Sequence, residues 1–385
     1  MELNSSKEIV AEEITSLISV MSADLRPGRG VGDFARRVAT ELADRRVESV
    51  IEDRRGREPS GVLRGSDECV FLQFVPYAWH ERGLIGPTAR AEIMERCDGR
   101  RVAVYMHELW IGESRRDSWK NRLVGWWQRR GVLRLLHELR PKLVLTSIPV
   151  YQAMLKRHGI DAELSQLPSN LPASSAADCV AAEEWLGGRK LNDQTQIVLG
   201  GVFGAIHPEW EPVPVIREWV DFARSMGREP VLLVLGISGL AARKVLSELG
   251  EGVANLRIER AGVLSARLLS ALIQRVEVGF APTPWALIGK SGSVAAFRAA
   301  GVPVVVTRND WTWRGGAVPA RVEDTGLQLW EPGFDWSRLK GEKSRGGGEI
   351  GKIVDRLQEF MNWSGRDHLS SGVSKEALSP KKMNR

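Results

Sequence analysis

Short apolar runs that end in polar loops alternate with amphipathic stretches along almost the whole chain. In the first half "ITSLISVMSADL", "ECVFLQFVP", "RVAVYMHELW" and "KLVLTSI" read as strands, while "DFARRVATELADRR" and "RGVLRLLHELRP" read as helices. Apolar runs separated by helices predict a parallel sheet with right-handed crossovers. The stretch "QLPSNLPASSAADC", rich in Pro, Ser and Ala, reads as a connection. A second series follows: "QIVLGGVFG", "VIREWVDFARSMG", "PVLLVLGISG", "ARKVLSELG", "LRIERAG", "SARLLSALIQRV" and "VGFAPTP", with Gly or Pro at most of the stops. "EIGKIVDRLQEFMNW" predicts a last helix, and the polar residues after it are expected to be disordered. No repeat appears at solenoid periods. The expectation is an α/β protein of two facing, doubly wound, Rossmann-like domains. Its parts are an N-terminal domain over 1–170, a linker over 171–194, a C-terminal domain over 195–345, a helix over 346–363 and a tail over 364–385.

Composition narrows this picture. A chain of 385 residues exceeds one ordinary core. Its 43% hydrophobic and 26% charged residues are those of a soluble globular protein, which excludes disorder over most of its length. No run reaches the roughly 18 apolar residues of a membrane span, and the acidic start "MELNSSKEIVAEE" argues against a secretory signal. Cys69, Cys97 and Cys179 are widely spaced and form neither a metal-binding pair nor a disulfide framework, which fits a reducing cytoplasm. The formal charge of +6 is uneven: from Ser114 to Arg140 eight Arg or Lys residues stand against Asp117 and Glu138. The rest of the chain is close to neutral, which weakens the case for general nucleic-acid binding.

The richest stretch is "ALIGKSGSVAAFRAAGVPVVVT", residues 286–307: a polar loop, an amphipathic helix, a glycine stop and a strand. A helix N-terminus offers unpaired N–H groups and about half a positive charge. Ser291 or Ser293 can cap the helix, Gly289 and Gly292 let an anion approach the backbone, and Lys290 adds a mobile charge. Each charge-assisted hydrogen bond would contribute roughly 1.5–3 kcal/mol, and the dipole roughly 0.3–1 kcal/mol. An ordinary Ser-capped helix after a turn reads equally well from these residues alone. The preceding strand "VGFAPTPWA" places the loop at the carboxyl end of a parallel sheet, where ligands bind.

With those elements in order, "VEVGFAPTPWALIGKSGSVAAFRAAGVPVVV" resembles the donor-binding region of GT-B glycosyltransferases, in particular the family-4-like group. The shared pattern is a strand, a Pro, a polar loop, a helix and Gly-x-Pro-Val-Val, here Gly301-Val302-Pro303-Val304-Val305. At lower specificity "PGRGVGDFARRVATELADR" resembles the first glycine-rich loop and helix, and "IVLGGVFGAIHPEW" the first strand and loop of the C-terminal domain. "RAGVLSARLLSALIQRVEVGFAP" resembles the base-binding loop and the helix after it. The resemblance implies the GT-B fold and a nucleotide-sugar donor as co-substrate. It also implies retention of configuration, and a diphosphate held by Lys290, Ser291, Gly292 and Ser293. Gly30, Gly204, His207 and Val263 are the other implied donor-side positions. Two departures stand out. The family's paired glutamates, eight positions apart, are replaced by Ile288 and Ala296, and its Arg and Lys after the first C-domain strand by Val202-Phe203-Gly204-Ala205. Lys290 is expected to supply the missing cation.

Further candidates carry two readings each. His107, directly after the apolar run "VAVYM", lies at a strand's cleft end and could bond a sugar hydroxyl or a developing leaving group; its ordinary role would be a loop histidine paired with Glu108. With Lys290 it makes up the expected catalytic pair. His80 and His207 have the same location logic. Gly28, Gly30 and Gly32 form a G-x-G signal without the spacing of a dinucleotide fingerprint. The basic segment 114–140 with Trp119, Trp126 and Trp127 suits an anionic membrane surface, or else forms a solvated basic face with its tryptophans in the core. No Asp-x-Asp occurs and no ligand-spaced cluster is present, so no metal is expected. The resulting expectation is a cytoplasmic, metal-independent glycosyltransferase with a glycan or lipid-linked acceptor, peripheral to the inner membrane face. The alternatives are a degenerate GT-B protein that binds without turnover, a nucleotide-sugar epimerase, and a nucleic-acid-binding protein using the basic segment.

Overall fold

The computed structural model describes residues 17–23, 25, 30–53, 56–57, 69–236, 239, 241–317, 326–339 and 348–362. Gly28 and the tail 364–385 lie outside them. The first sheet contains β1 (Leu17–Ser22), β2 (Glu48–Asp53), β3 (Gly56–Arg57), β4 (Cys69–Phe74), β5 (Arg101–Met106), β6 (Leu143–Thr146) and β7 (Glu163–Leu164) in the order β3-β2-β1-β4-β5-β6-β7. Its pairs are parallel except β2 with β3. The helices along this half are α1 (Gly30–Asp44), α2 (Pro76–Trp79), α3 (Pro87–Cys97), α4 (Trp119–Leu139) and α5 (Pro149–Lys156).

After α6 (Ala176–Gly187), the second sheet contains β8 (Ile197–Phe203), β9 (Glu229–Leu235), β10 (Arg257–Gly262), β11 (Val278–Ala281), β12 (Val304–Val306) and β13 (Leu327–Leu329). The order is β10-β9-β8-β11-β12-β13, parallel throughout. It is accompanied by α7 (Val213–Ser225), α8 (Ala241–Gly252), α9 (Ala266–Ile273) and α10 (Gly292–Ala299), and α11 (Glu349–Asn362) follows. Each sheet therefore winds in both directions from its first strand. The windings part between β1 and β4 and between β8 and β11, the switch points where open α/β sheets leave a crevice. The α/β arrangement of two doubly wound units is the one expected from the apolar runs. Strands covered on both faces need no polar side, so Val70, Phe71 and Leu72 of β4 and Leu232, Leu233 and Val234 of β9 are all buried.

Three features depart from the expected layout. The stretch read as a connection contains α6, opened by a capping box in which Ser175 Oγ accepts from the Asp178 N–H at 3.3 Å and Asp178 Oδ2 from the Ser175 N–H at 2.8 Å. Buried Ala182 and Leu186 pack this helix into the C-terminal core with Leu272. The last helix crosses back to the N-terminal unit, where Ile353, Val354 and Leu357 pack with Phe34, Val38 and Leu42. Arg101 fastens it by donating to the Phe360 and Met361 carbonyls at 3.2 and 2.8 Å. Third, the segment after β12 leaves its own unit. Trp313 pairs with Ser114 in an antiparallel bridge. The Arg115 N–H donates to the Thr312 carbonyl at 2.9 Å, and the Arg314 N–H to the Glu113 carbonyl at 2.8 Å. Trp313 is buried in the N-terminal core with Trp110 and Tyr151, under the Arg157 guanidinium at 5.0 Å.

Candidate functional site

The carboxyl end of β11 runs through Pro282-Thr283-Pro284 into a 3-10 turn, Trp285–Lys290, and then into α10. Buried Ala286 and Ile288 anchor the turn, and the Ile288 carbonyl accepts the Ser291 N–H at 3.0 Å. Ser291 is the N-cap: its Oγ accepts the Val294 N–H at 3.4 Å and its carbonyl the Ala295 N–H at 3.0 Å. Ser293 stands one residue inside the helix and is not the cap. The N–H groups of Gly292 and Ser293 are thus left at the positive end of α10 without a backbone acceptor. A Cβ on Gly292 would meet nothing within 4 Å, so no protein contact requires glycine there. The space beside it is open to a ligand.

Across the β8–β11 switch point lies Gly204, with φ +80°, a backbone conformation natural to glycine. A Cβ there would come within 3.1 Å of Ser293 Oγ, so the loop after β8 touches the first turn of α10. His207, further along that loop, is exposed. Its Nδ1 accepts the Glu209 N–H at 3.2 Å and lies 3.2 Å from the Arg308 guanidinium. Arg308 follows β12, is buried, and also donates to Glu209 at 3.0 Å and Asp310 at 2.7 Å. It brings a cation beside the β8 loop, where the family pattern would have one and this sequence has Val202-Phe203-Gly204-Ala205. Its signal was an arginine two residues after the strand "VPVVV".

Lys290 points across the cleft rather than standing free. Its Nζ lies 3.4 Å from Tyr151 Oη at the start of α5 and 3.7 Å from Glu108 Oε1 beyond β5. These are residues at the carboxyl ends of β6 and β5, so the carboxyl edges of the two sheets face each other. The Tyr151 oxygen first, with the Glu108 carboxylate, holds Lys290 above the ordinary lysine range against the pull of burial. It is therefore a cation at neutral pH.

His107, one residue before Glu108, does not pair with it. The ring is buried, tilted over Tyr105 with centroids 4.5 Å apart and edge-on to Phe34 at 4.9 Å. Nε2 lies 2.8 Å from Gln73 Oε1 at the end of β4, and with the amide in this orientation Nε2 carries the proton and Nδ1 is the acceptor. Burial pushes its pKa down to about 3. The ring is neutral at pH 7.

The remaining candidates stand apart. Gly30 opens α1, and its carbonyl accepts from Asn170 Nδ2 at 2.8 Å. Val263, at the end of edge strand β10, is 80% exposed after Gly262 with φ +69°. Neither is bonded to the α10 group. His80 Nδ1 accepts the Arg82 N–H at 3.1 Å and serves its own turn. Ile288 and Ala296, where the family has glutamates, lie in the C-terminal core. Tyr151, Gln73 and Arg308 are site residues that the sequence reading missed. Among the described residues no group of three or more His, Cys, Asp or Glu could hold a metal, and no helix is long and apolar enough to cross a membrane.

No family model matches the chain, and no curated protein matches it. Solved structures resemble it at low identity. One is Anabaena HepE in complex with UDP and glucose, at 13% identity over 89% of this chain and 90% of that one, with a TM-score of 0.47. Another is an alpha-glucosyltransferase in complex with UDP and a 13-mer DNA containing a HMU base, at 11% identity over 89% and 90%, TM-score 0.47. A third is a putative UDP-N-acetylglucosamine 2-epimerase from Listeria monocytogenes, at 9% identity over 90% and 96%, TM-score 0.49.

Proposed function

We propose that the chain is a GT-B glycosyltransferase that moves a sugar from a nucleotide-sugar donor to a glycan or lipid-linked acceptor. The observation that carries this reading is the first turn of α10. It presents two unpaired N–H groups beside a glycine loop at a switch point, preceded by a lysine whose Nζ reaches Tyr151 and Glu108 at the carboxyl edge of the first sheet. A diphosphate meets there the helix dipole, the Gly292 and Ser293 N–H groups and Lys290, all of which favour the charge that grows on the leaving group. These donors do the work a metal would do, so the reaction runs without one. His107 is neutral and offers Nδ1 to a sugar hydroxyl. In this reading Gly30, Gly204, His207 and Val263 are the remaining donor-binding positions. Sugar transfer proceeds with retention, in the cytoplasm, with segment 114–140 bringing the protein to the inner membrane face.

The test is thermal stabilisation and calorimetric titration against UDP-, GDP-, dTDP- and ADP-sugars, since a ligand of the native state raises stability by mass action. At least one donor should bind. Lys290→Ala should weaken it by about 1.5–3 kcal/mol, the range of a charged hydrogen bond. Gly292→Ala should fold normally yet bind less well, because its methyl group enters the open space. Donor turnover should persist in EDTA. Binding without any turnover would make the chain a degenerate relative, and the absence of binding to every donor would sink the reading.

A further inference from the structure

Nine large apolar side chains are exposed among the described residues, and five of them, Ile111, Trp119, Leu123, Trp126 and Trp127, belong to α4 and the loop before it. The core-directed side of α4 is elsewhere: Gly125, Gln128, Val132, Leu135 and Leu136 are its buried residues. At 3.6 residues per turn Trp119, Leu123, Trp126 and Trp127 fall within roughly 100° of arc on the opposite side. Trp119 is 70% and Trp127 55% exposed, so these are not core tryptophans leaning outward. The first turns of α4 thus turn their large apolar side chains outward, where no partner stands among the described residues, while their inward side is Gly125 and Gln128 and the apolar inward residues Val132, Leu135 and Leu136 lie in the last turns.

The charge around the open face is predominantly positive, with Asp117 the one carboxylate at its start, bonded to the Ser114 N–H and to Asn121 Nδ2. Arg115, Lys120, Arg122 and Arg130 have no carboxylate partner among the described residues. Lys120 and Arg130 each lie 5.9 Å from the ring centroid of a tryptophan on that face, Trp119 and Trp126. Three further basic residues are engaged, Arg116 with Asp310, Arg129 with Glu113 and Arg134 with Glu138, and Arg140 lies at the far end of the helix as its C-cap. Tryptophans ringed by unpaired cations suit the boundary between lipid headgroups and acyl chains, where indole enters the interface and basic groups meet anionic heads. A second copy of the chain suits it less, because a two-fold contact would set these cations against each other.

We infer that the face of α4 formed by Trp119, Leu123, Trp126 and Trp127 docks on an anionic bilayer, with Arg115, Lys120, Arg122 and Arg130 as its headgroup contacts. This names the surface that meets the membrane within the proposed transferase reading, and rests on that reading only for what the docked protein does there. The loop leading into α4 carries Ser114, which pairs with Trp313 of the C-terminal unit, so docking fixes both units relative to the membrane plane.

Co-sedimentation with neutral and with anionic phospholipid vesicles, at 0.1 and 1 M salt, tests the inference on the whole chain. Wild type should favour anionic vesicles and lose them at high salt, as the Debye length falls from ~10 to ~3 Å. Reversal of Arg115, Lys120 and Arg130 to Glu should weaken partitioning on the order of a hundredfold. Trp119→Ser with Trp127→Ser should weaken it about tenfold while leaving the fold intact, because both rings are exposed. Equal partitioning between the two vesicle types, or indifference to both variants, overturns the inference. So does a concentration-dependent dimer in sedimentation velocity that the Trp variants dissolve, which would assign the face to a second copy. Nucleotide titration of the same variants separates the two ideas: intact donor binding with lost vesicle binding is expected. Vesicle binding by a chain that takes no donor would sink the transferase reading alone.

Discussion

Burying His107 neutral has a consequence in acid. In the unfolded chain its imidazole titrates near 6.5, whereas in the folded chain burial holds its pKa down to about 3. Between those values the unfolded state binds one more proton than the folded state, so stability falls as pH drops below 6.5 and keeps falling toward 3. Above 6.5 the group contributes no slope. Replacing it with a side chain that cannot titrate, His107→Asn, should flatten this limb. Urea midpoints measured at pH 7 and 4.5 should drop further for wild type than for the variant, and equal drops would contradict a buried neutral ring. The position of such residues was readable from the chain, because a polar residue directly after an apolar run marks a strand's carboxyl end. What each one touches was not. Glu108 adjoins His107 in sequence yet reaches Lys290 from the other unit, while Gln73 arrives beside His107 from the neighbouring strand. Pairings over such separations are set by strand order, which periodicity does not encode.

At the scale of elements, α4 shows how a local cost is offset by a close approach. Glycine in a helix interior destabilises by roughly 1 kcal/mol relative to alanine, yet α4 contains Gly125 and Gly131. A Cβ at either would collide with backbone: the Ile111 carbonyl at Gly125 and the Ile85 carbonyl at Gly131. The two glycines let the helix lie directly on the loops beneath it, which also fixes the direction of its outer face. Gly125→Ala should therefore destabilise by at least about 1–3 kcal/mol, the range of overpacking, despite its better helix propensity. A thermal melt showing stabilisation instead would mean that α4 sits further out. Continuous apolar strands such as "VFLQF" and "PVLLVL" were plain in the sequence because parallel strands bury both faces. The strand "ESVIED" was not, because four of its six residues are only partly buried. Helix α3 buries only Ile93 and Cys97 and so carries little periodic signal. The capping box of α6 was readable, but its Pro-, Ser- and Ala-rich approach masked it.

For the whole molecule, the unit that closes the N-terminal core comes from the far end of the chain. Ile353, Val354, Leu357, Phe360 and Met361 of α11 are buried there, and burying each such side chain stabilises by roughly 1.5–3 kcal/mol. Five of them rival the ~5–15 kcal/mol by which ordinary domains are stable. Removing residues 349–385 should abolish the melting transition of the N-terminal unit and leave that of the C-terminal unit in place. Calorimetry that still shows both transitions would assign α11 a decorative role. The same crossing also imposes an order in time. A ribosome that has made Leu164 has finished the last strand of the first sheet, but must continue to Glu349 and beyond before the covering helix exists. At ordinary synthesis rates that interval is roughly 10–40 s. Throughout it the apolar surface that Ile353, Val354, Leu357, Phe360 and Met361 will cover has no lid, so the half that is translated first is the half that needs a chaperone longest.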